Sequence, residues 1–391
     1  MTTNHLPPIS ARCGVRILQL MMTALLLASC TTVPRTDFGV DQQAEAQPVG
    51  FSDVRFDADN LDQSRALGDE IRSKLPNIAT NGLQMLVLSG GGSEGAYGAG
   101  VLQGWSRSGK RPKFAIVTGV SAGALIAPFA FLGPEWDDRL QAAFTDGRTA
   151  KLLRRRRALD ALFSGGIYEA EPLRRLVESY VDDQLIADIA KENATGRRLL
   201  VATTDLDTQR SVVWDMGAIA SHGGAAARAL FTDVLVASAS VPGVFPPVLI
   251  AVQDNQGRHF EEMHVDGGTT ETFFGIPESM LLTKTRRAEN KNFHLYVLLN
   301  TNDKPSFSVT KTDTIAVAAR AFDTMTKAST RTLVSVTEAF CLRNNLSCLF
   351  AEVPSSAAKN DFLDFSTSNA IQLFQLGQAD GLTGSGWRAS P

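Results

Sequence analysis

The sequence lacks any marked excess of charge. Its 38 Lys and Arg stand against 41 Asp and Glu, a formal −3, so the basic footprint of a nucleic-acid-binding protein is missing. Heptads, solenoid repeats and low-complexity tracts are absent, which excludes coiled-coil and repeat-array architectures. The apolar run near the start, Ile17 to Leu27, is too short to span a bilayer. Histidine is scarce: His5, His222, His259, His264 and His294 are the whole supply, and none has a setting that marks it as a catalytic base. What remains, 44% apolar and 20% charged residues, is ordinary globular composition, enough for one large or two smaller domains.

The first 30 residues stand apart. Arg12 and Arg16 precede the short apolar run, and "LASC" follows, ending at Cys30. A basic start, an apolar core and small residues before a cut describe an export signal over residues 1–29. Leu27-Ala28-Ser29-Cys30 resembles a bacterial lipobox, which implies cleavage before Cys30 and acylation of that cysteine. Thr31 in place of Asp favours the outer membrane, so the expected product is a lipid-anchored protein of the bacterial envelope. Residues 30–80 read as a polar tether, with a short helix in "NLDQSRALGDEIRSKL".

From residue 81 onward, strands alternate with helices. Met85–Leu88 reads as a buried strand, and Gly95 to Trp105 reads as a helix with Tyr97, Val101 and Trp105 in register. "KFAIVTGVSAGALIAPFAFLG" repeats strand, turn and helix, the helix apolar on every side and therefore buried. "RLLVATTDLDT", "SVVWDM" and "FHLYVLLN" add strands, "GGAAARALFTDVLVASA" adds a helix, and a hairpin turns near Asn255–Gly257. Alternation of this kind argues an α/β domain with a largely parallel central sheet. From Asp313 to Phe340, Ile315, Ala318, Phe322 and Met325 mark one face of a long helix, and a last helix covers Asn369 to Leu376. Cys341 and Cys348 leave two arrangements open. A continuous helix holds their Cα atoms about 10 Å apart, too far for a bridge, whereas a break at Asn344-Asn345 brings them within reach.

"LSGGGSEGAYGAG" places six glycines in residues 88–100. Gly90, Gly92 and Gly95 satisfy G-x-G-x-x-G, but no carboxylate closes the second strand as a dinucleotide site requires, and no Lys-Ser/Thr pair follows for a phosphate loop. Neither cofactor reading survives, and no metal or cofactor is expected. Gly119-Val120-Ser121-Ala122-Gly123 is a G-x-S-x-G elbow between strand and helix, a turn that lifts a serine above a sheet edge. Such a nucleophile needs a base. His264 is one candidate; Asp266, ending a strand before Gly267-Gly268, is the other, provided burial lifts its pKa.

These parts resemble the patatin-like phospholipases. Four blocks carry the likeness in order, "SGGGSEGAYGAGVL", "GVSAGAL", "ASASVPGVFPPV" and "DGG", within residues 83–299, with weaker echoes through the helices of 310–378. The resemblance implies a three-layer α/β/α fold and hydrolysis of fatty acyl esters of phospholipids or other lipids. It assigns a histidine-free dyad to Ser121 and Asp266, elbow glycines to Gly119 and Gly123, and an oxyanion hole to the amides of Gly90, Gly91 and Gly92. The family normally has Arg or Lys where this chain has Glu94. A carboxylate about 7 Å from the oxyanion opposes it by roughly 2 kcal/mol before screening, so a pairing cation such as Arg107 or Arg111 is expected. "KLLRRRR" (151–157) reads as a solvated helix face ahead of a headgroup site. Two other readings remain: an esterase or thioesterase for small soluble substrates, and a catalytically weakened lipid-binding protein.

Overall fold

The computed structural model describes residues 35–74, 82–154, 166–276, 281, 293–305, 307, 309–312, 314–357 and 362–390. The export segment, Cys30 and residues 155–157 of the basic run lie outside them. In chain order the first elements are α1 (Val40–Ala44), β1 (Gln47–Pro48), β2 (Arg55–Asp57), α2 (Leu61–Lys74), β3 (Leu83–Leu88) and α3 (Gly95–Arg107). Next come β4 (Ile116–Val120), α4 (Ala122–Leu132), α5 (Asp137–Thr145), α6 (Glu171–Glu178), α7 (Asp183–Ala194), β5 (Arg198–Asp205) and β6 (Arg210–Asp215). Then follow α8 (Met216–His222), α9 (Gly224–Ser238), β7 (Val248–Gln253), β8 (His259–Asp266), β9 (Phe293–Leu299), α10 (Thr314–Asn344), β10 (Ser347–Glu352), α11 (Thr367–Thr383) and β11 (Arg388–Ala389).

Among the described residues eleven strands form one mixed sheet in which β10, β9, β3, β4 and β5 run parallel in that spatial order. Side chains alternate across the sheet, and both sets are buried. Leu86 and Leu88 of β3 join the large core beneath α3, α4 and α9, while Met85 and Val87 join a second core with Val334 of α10. Leu199 and Val201 of β5 face the large core; Leu200 and Ala202 face a third, with Leu67 of α2 packed against it. Helices thus cover both faces, which is the expected three-layer α/β/α arrangement. Fully apolar strands are the signature of a sheet with no wet side.

The segment read as a tether is, over its described part, integrated in the domain. β1 pairs with β7, β2 pairs with β6, Val54 is fully buried, and Phe38 stacks on Phe260 at 4.4 Å. Its polar composition concealed short hydrophobic anchors such as Phe38 and Val54, and two strand edges needed partners. The long helix also departs from expectation. Ala318 and Met325 face outward, while Thr330, Val334, Thr337 and Phe340 face the sheet. Threonine hydroxyls bond back to the helix's own carbonyls, Thr330 to Thr326 and Thr337 to Leu333, so polar residues occupy the buried stripe without unmet hydrogen bonds. Cys341 and Cys348 form a disulfide, with Cα atoms 6.2 Å apart. Asn345 at φ 53° ends the helix and turns the chain back, the second of the two arrangements the sequence left open.

Helix α11 lies directly on α3, and glycines explain how close. A Cβ on Gly100 or Gly104 would sit 2.1 Å from the carbonyl oxygen of Phe374 or Gln378; on Gly377 or Gly381 it would sit 2.1 Å from that of Tyr97 or Val101. Two G-x-x-x-G pairs therefore let backbone touch backbone, and Tyr97 donates to Asp380 at 3.0 Å across the seam. Gly104→Ala or Gly381→Ala is expected to force the helices apart and lower stability by roughly 1–3 kcal/mol, the usual cost of overpacking. Urea denaturation measures this, and Gly68→Ala, in α2 where an added Cβ meets nothing within 4 Å, separates packing from loss of a flexible residue.

Candidate active site

Strand β5 is long enough to have two successive partners along one edge. Its first half pairs in parallel with β4, up to Val120 opposite Ala202. Its second half pairs antiparallel with β8, from Asp266 opposite Thr203. The two strands thus approach along one lane from opposite directions and end at neighbouring positions. Ser121 follows directly after β4, and Asp266 ends β8. Their side chains meet: Ser121 Oγ donates to Asp266 Oδ2 at 2.6 Å.

Local chemistry holds both ends. Ser121 has φ 54° and ψ −123°, a conformation costing a non-glycine residue about 1–3 kcal/mol and sustained only by its surroundings. A Cβ on Gly119 would lie 2.6 Å from the Gly123 carbonyl oxygen, and one on Gly123 would lie 2.4 Å from that of Leu88. Both elbow glycines are sterically required. The Ser121 amide donates to Ser238 Oγ at 3.0 Å, and Ser238 Oγ donates to the Ala202 carbonyl at 2.7 Å. The Asp266 amide donates to the Ser240 carbonyl at 2.9 Å. One short stretch, "SAS" at 238–240, therefore braces both reacting residues. Sequence reasoning quoted this block without assigning it a role.

Asp266 is buried, and its other oxygen accepts from the Gly268 amide at 2.7 Å. Burial pushes its carboxyl up to about 7, against the opposing pull of hydrogen bonds from Ser121 and Gly268. His264 is no rival. It is buried, bonded through Nδ1 to Thr203 Oγ1 at 3.0 Å and through Nε2 to Glu262 Oε2 at 3.2 Å. Arg55 pairs with the same Glu262, and Trp214 Nε1 donates to Thr203 at 2.8 Å. Burial raises the Glu262 carboxyl, but the bonds from His264 and Arg55 overcome it and hold the group at about 2. His264 thus belongs to a satisfied interior network.

The glycine loop crosses beside Ser121. Gly90 Cα passes so close that an added Cβ would lie 3.1 Å from Ser121 Cβ. Of the three amides assigned to an oxyanion hole, that of Gly90 donates to the Thr272 carbonyl at 3.0 Å and is engaged. Those of Gly91 and Gly92 have no acceptor among the described residues. The strand-end loop after β9 supports this segment: Asn300 donates to Ser89 O at 2.6 Å, and any Cβ on Gly91 would collide with the Asn300 carbonyl at 1.5 Å.

Residues 86–276 match the family described as patatin-like phospholipase. That stretch is a patatin-like phospholipase domain. Among solved structures, VipD from Legionella pneumophila aligns over 78% of this chain and 68% of its own at 12% identity, with a TM-score of 0.38. No curated protein matches the sequence. The family match brings lipid acyl hydrolysis in general to this domain. Among the described residues, no group of three His, Cys, Asp or Glu side chains is placed to hold a metal ion.

Two cavities flank the Ser121 of this patatin-like domain. One, of about 50 Å³, contains Ser121, Asp266 and Gly90 to Gly92 and is roofed by Phe322, Lys327 and Phe362. The other, of about 60 Å³, begins at Gly92 and Ala122 and runs between Leu125, Phe129, Phe144 and Leu185, almost wholly apolar. Glu94 is buried beside the loop. Burial raises its carboxyl to about 7, opposed by the charge of Lys327 and by hydrogen bonds from Thr301 and the Asn302 amide. Arg111, one of the two cations named as possible partners beside Arg107, instead pairs with Asp137 at 2.8 Å. The cation that faces Glu94 arrives from α10, more than two hundred residues away in sequence, where no local signal pointed to it. Because folding lifts this carboxyl from 4.5 to about 7, its stabilising share is complete below pH 4.5 and gone above pH 7. Glu94→Arg faces Lys327 with a second cation and removes the acceptor of Thr301 and Asn302. It is expected to cost roughly 2–4 kcal/mol in urea denaturation, whereas Glu94→Gln, which keeps a carbonyl acceptor, costs less than about 1 kcal/mol. An arginine variant as stable as the wild type would show that the pocket accepts a cation.

Proposed function

We propose that this protein is a serine acyl hydrolase that cleaves fatty acyl esters of phospholipids through Ser121 and Asp266. The 2.6 Å contact between Ser121 Oγ and Asp266 Oδ2 at a strained elbow carries the reading. Asp266, with a carboxyl near 7, takes the serine proton as Oγ attacks the ester carbonyl. The amides of Gly91 and Gly92 receive the developing oxyanion, each worth about 3–4 kcal/mol in the barrier. The alcohol leaves with the proton, and the acyl group remains on Ser121. Water activated by Asp266 then releases the fatty acid. The lining of the cavity beside Ala122 supports an apolar acyl group over a polar one, because it offers apolar contact and almost nothing polar. An intact Ser-Asp contact speaks against a purely lipid-binding role.

Ser121→Ala and Asp266→Asn are each expected to lower ester hydrolysis at least about a thousandfold with unchanged circular dichroism, while His264→Ala loses stability and keeps most of its turnover. Activity of the wild type should rise with pH through about 7 as Asp266 ionises. Fatty acids released from defined phospholipids identify the ester position. A histidine variant as inactive as the serine variant, yet folded, would replace the dyad by a triad.

We also propose that the protein is held at the outer membrane by acylation of Cys30, on the strength of the "LASC" segment. Cys30→Ser is expected to abolish incorporation of a fatty-acid analogue during growth. Equal labelling of wild type and variant would refute the anchor.

A further inference from the structure

Helix α10 spans 31 residues, about 46 Å, and its two long faces differ in an unusual way. The inward face supplies Phe322, Asp323, Thr326, Lys327 and Thr330 to the catalytic cavity. The outward face carries no charge from Val317 to Leu342: its exposed positions are Val, Ala, Thr, Met, Ser and Leu, spaced three and four apart along one stripe. Val317, Met325 and Leu342 are 51%, 68% and 57% exposed. A helix whose outer side meets only water ordinarily carries its charges there. Here the charges turn away from that face, where Arg320 and the inward Lys327 both pair with Asp323, at 3.1 and 3.3 Å. Just before the helix, Phe307 and Val309 project at 89% and 83% exposure, between the exposed Lys304 and Lys311. Among the described residues Asp303 is the nearby carboxylate on this side, half-buried, and in sequence Asp313 follows Lys311 by two positions.

An uncharged stripe that continues into exposed apolar residues, with two exposed lysines at its N-terminal end, is the pattern of a helix that lies in a bilayer interface, apolar side in the acyl boundary and cations at the headgroups. We infer that the outward face of α10, with Phe307 and Val309, seats the protein on a phospholipid surface bearing anionic headgroups, holding the catalytic cavity against the membrane that contains its substrate. The inference rests on the acyl-hydrolase reading above, because continuity with the site is what selects a bilayer as the occupant: the same helix roofs Ser121 on one side and presents the uncharged stripe on the other.

The test uses the full chain with Cys30→Ser, so that no acyl anchor contributes, and Ser121→Ala for binding so that vesicles stay intact. Flotation with phosphatidylcholine vesicles containing phosphatidylglycerol is compared with phosphatidylcholine alone. Binding is expected with the anionic vesicles and weaker without them. Val317→Asp with Met325→Asp should reduce flotation at least about tenfold, and in the Ser121 protein should reduce vesicle hydrolysis equally while a water-soluble short-chain ester is cleaved within about twofold of normal. The milder pair Val317→Thr with Met325→Gln gives a smaller loss in the same order if the aspartates disturb folding. Undiminished flotation of both pairs overturns the inference. So does a smaller assembly in solution for the aspartate variant than for the parent, which would mean that a second copy of the chain covers this face. Absence of soluble-ester cleavage by the parent would instead refute the hydrolase reading, and flotation reports independently of it.

Discussion

The site depends on two strand ends sharing one lane. β4 arrives beside β5 in parallel and stops at Val120; β8 arrives antiparallel and stops at Asp266, one register position away. A serine and a carboxylate 145 residues apart in sequence are thereby aimed at each other by backbone hydrogen bonds rather than by long flexible side chains. Aspartate is short and β-sheet register is stiff, so the 2.6 Å contact requires little side-chain entropy to be given up. The same crowding supplies the chemistry: a carboxylate held where strands end inside a covered sheet is desolvated, and desolvation lifts its pKa toward neutrality.

Everything around the lane works to keep those ends from drifting. Ser238 and Ser240 tie the two residues to the end of α9. Asn300 fixes the glycine loop to the end of β9. The loop continues into α3, which is clamped by α11 through glycine-to-backbone contacts. A strained serine needs such over-determination, since a site free to relax would give up its φ of 54°. The C-terminal helix, remote from the chemistry in sequence, is thus mechanically part of it.

Charge is handled by pairing in the interior and by restraint on the outside of α10. Glu262, Arg55 and His264 satisfy one another in the core. Glu94 feels the charge of Lys327 and, against it, that of Asp323, so the acidic residue that looked adverse in isolation stands in a local field of mixed sign. Lys327 also links the interior of the site to the helix whose outer face is bare of charge.

Much of this was legible in the chain itself. Alternating apolar strands and helices dictate an α/β sheet covered on both sides, and the glycines of 90–92, 119 and 123 mark places where backbone must approach backbone. Ser121 and Asp266 stand out because an elbow and a strand-ending Asp-Gly-Gly are local patterns. The tertiary structure decided what is set by distant partners. It placed Lys327 rather than Arg111 opposite Glu94, engaged the Gly90 amide with Thr272, drew residues 47–48 and 55–57 into the sheet, and bridged Cys341 to Cys348. It turned Met325 outward although its spacing matched a buried stripe. The reason is common to all of these: periodicity and turn chemistry act over a few residues, whereas which face is buried and which donor is occupied depend on elements the chain reaches only after folding.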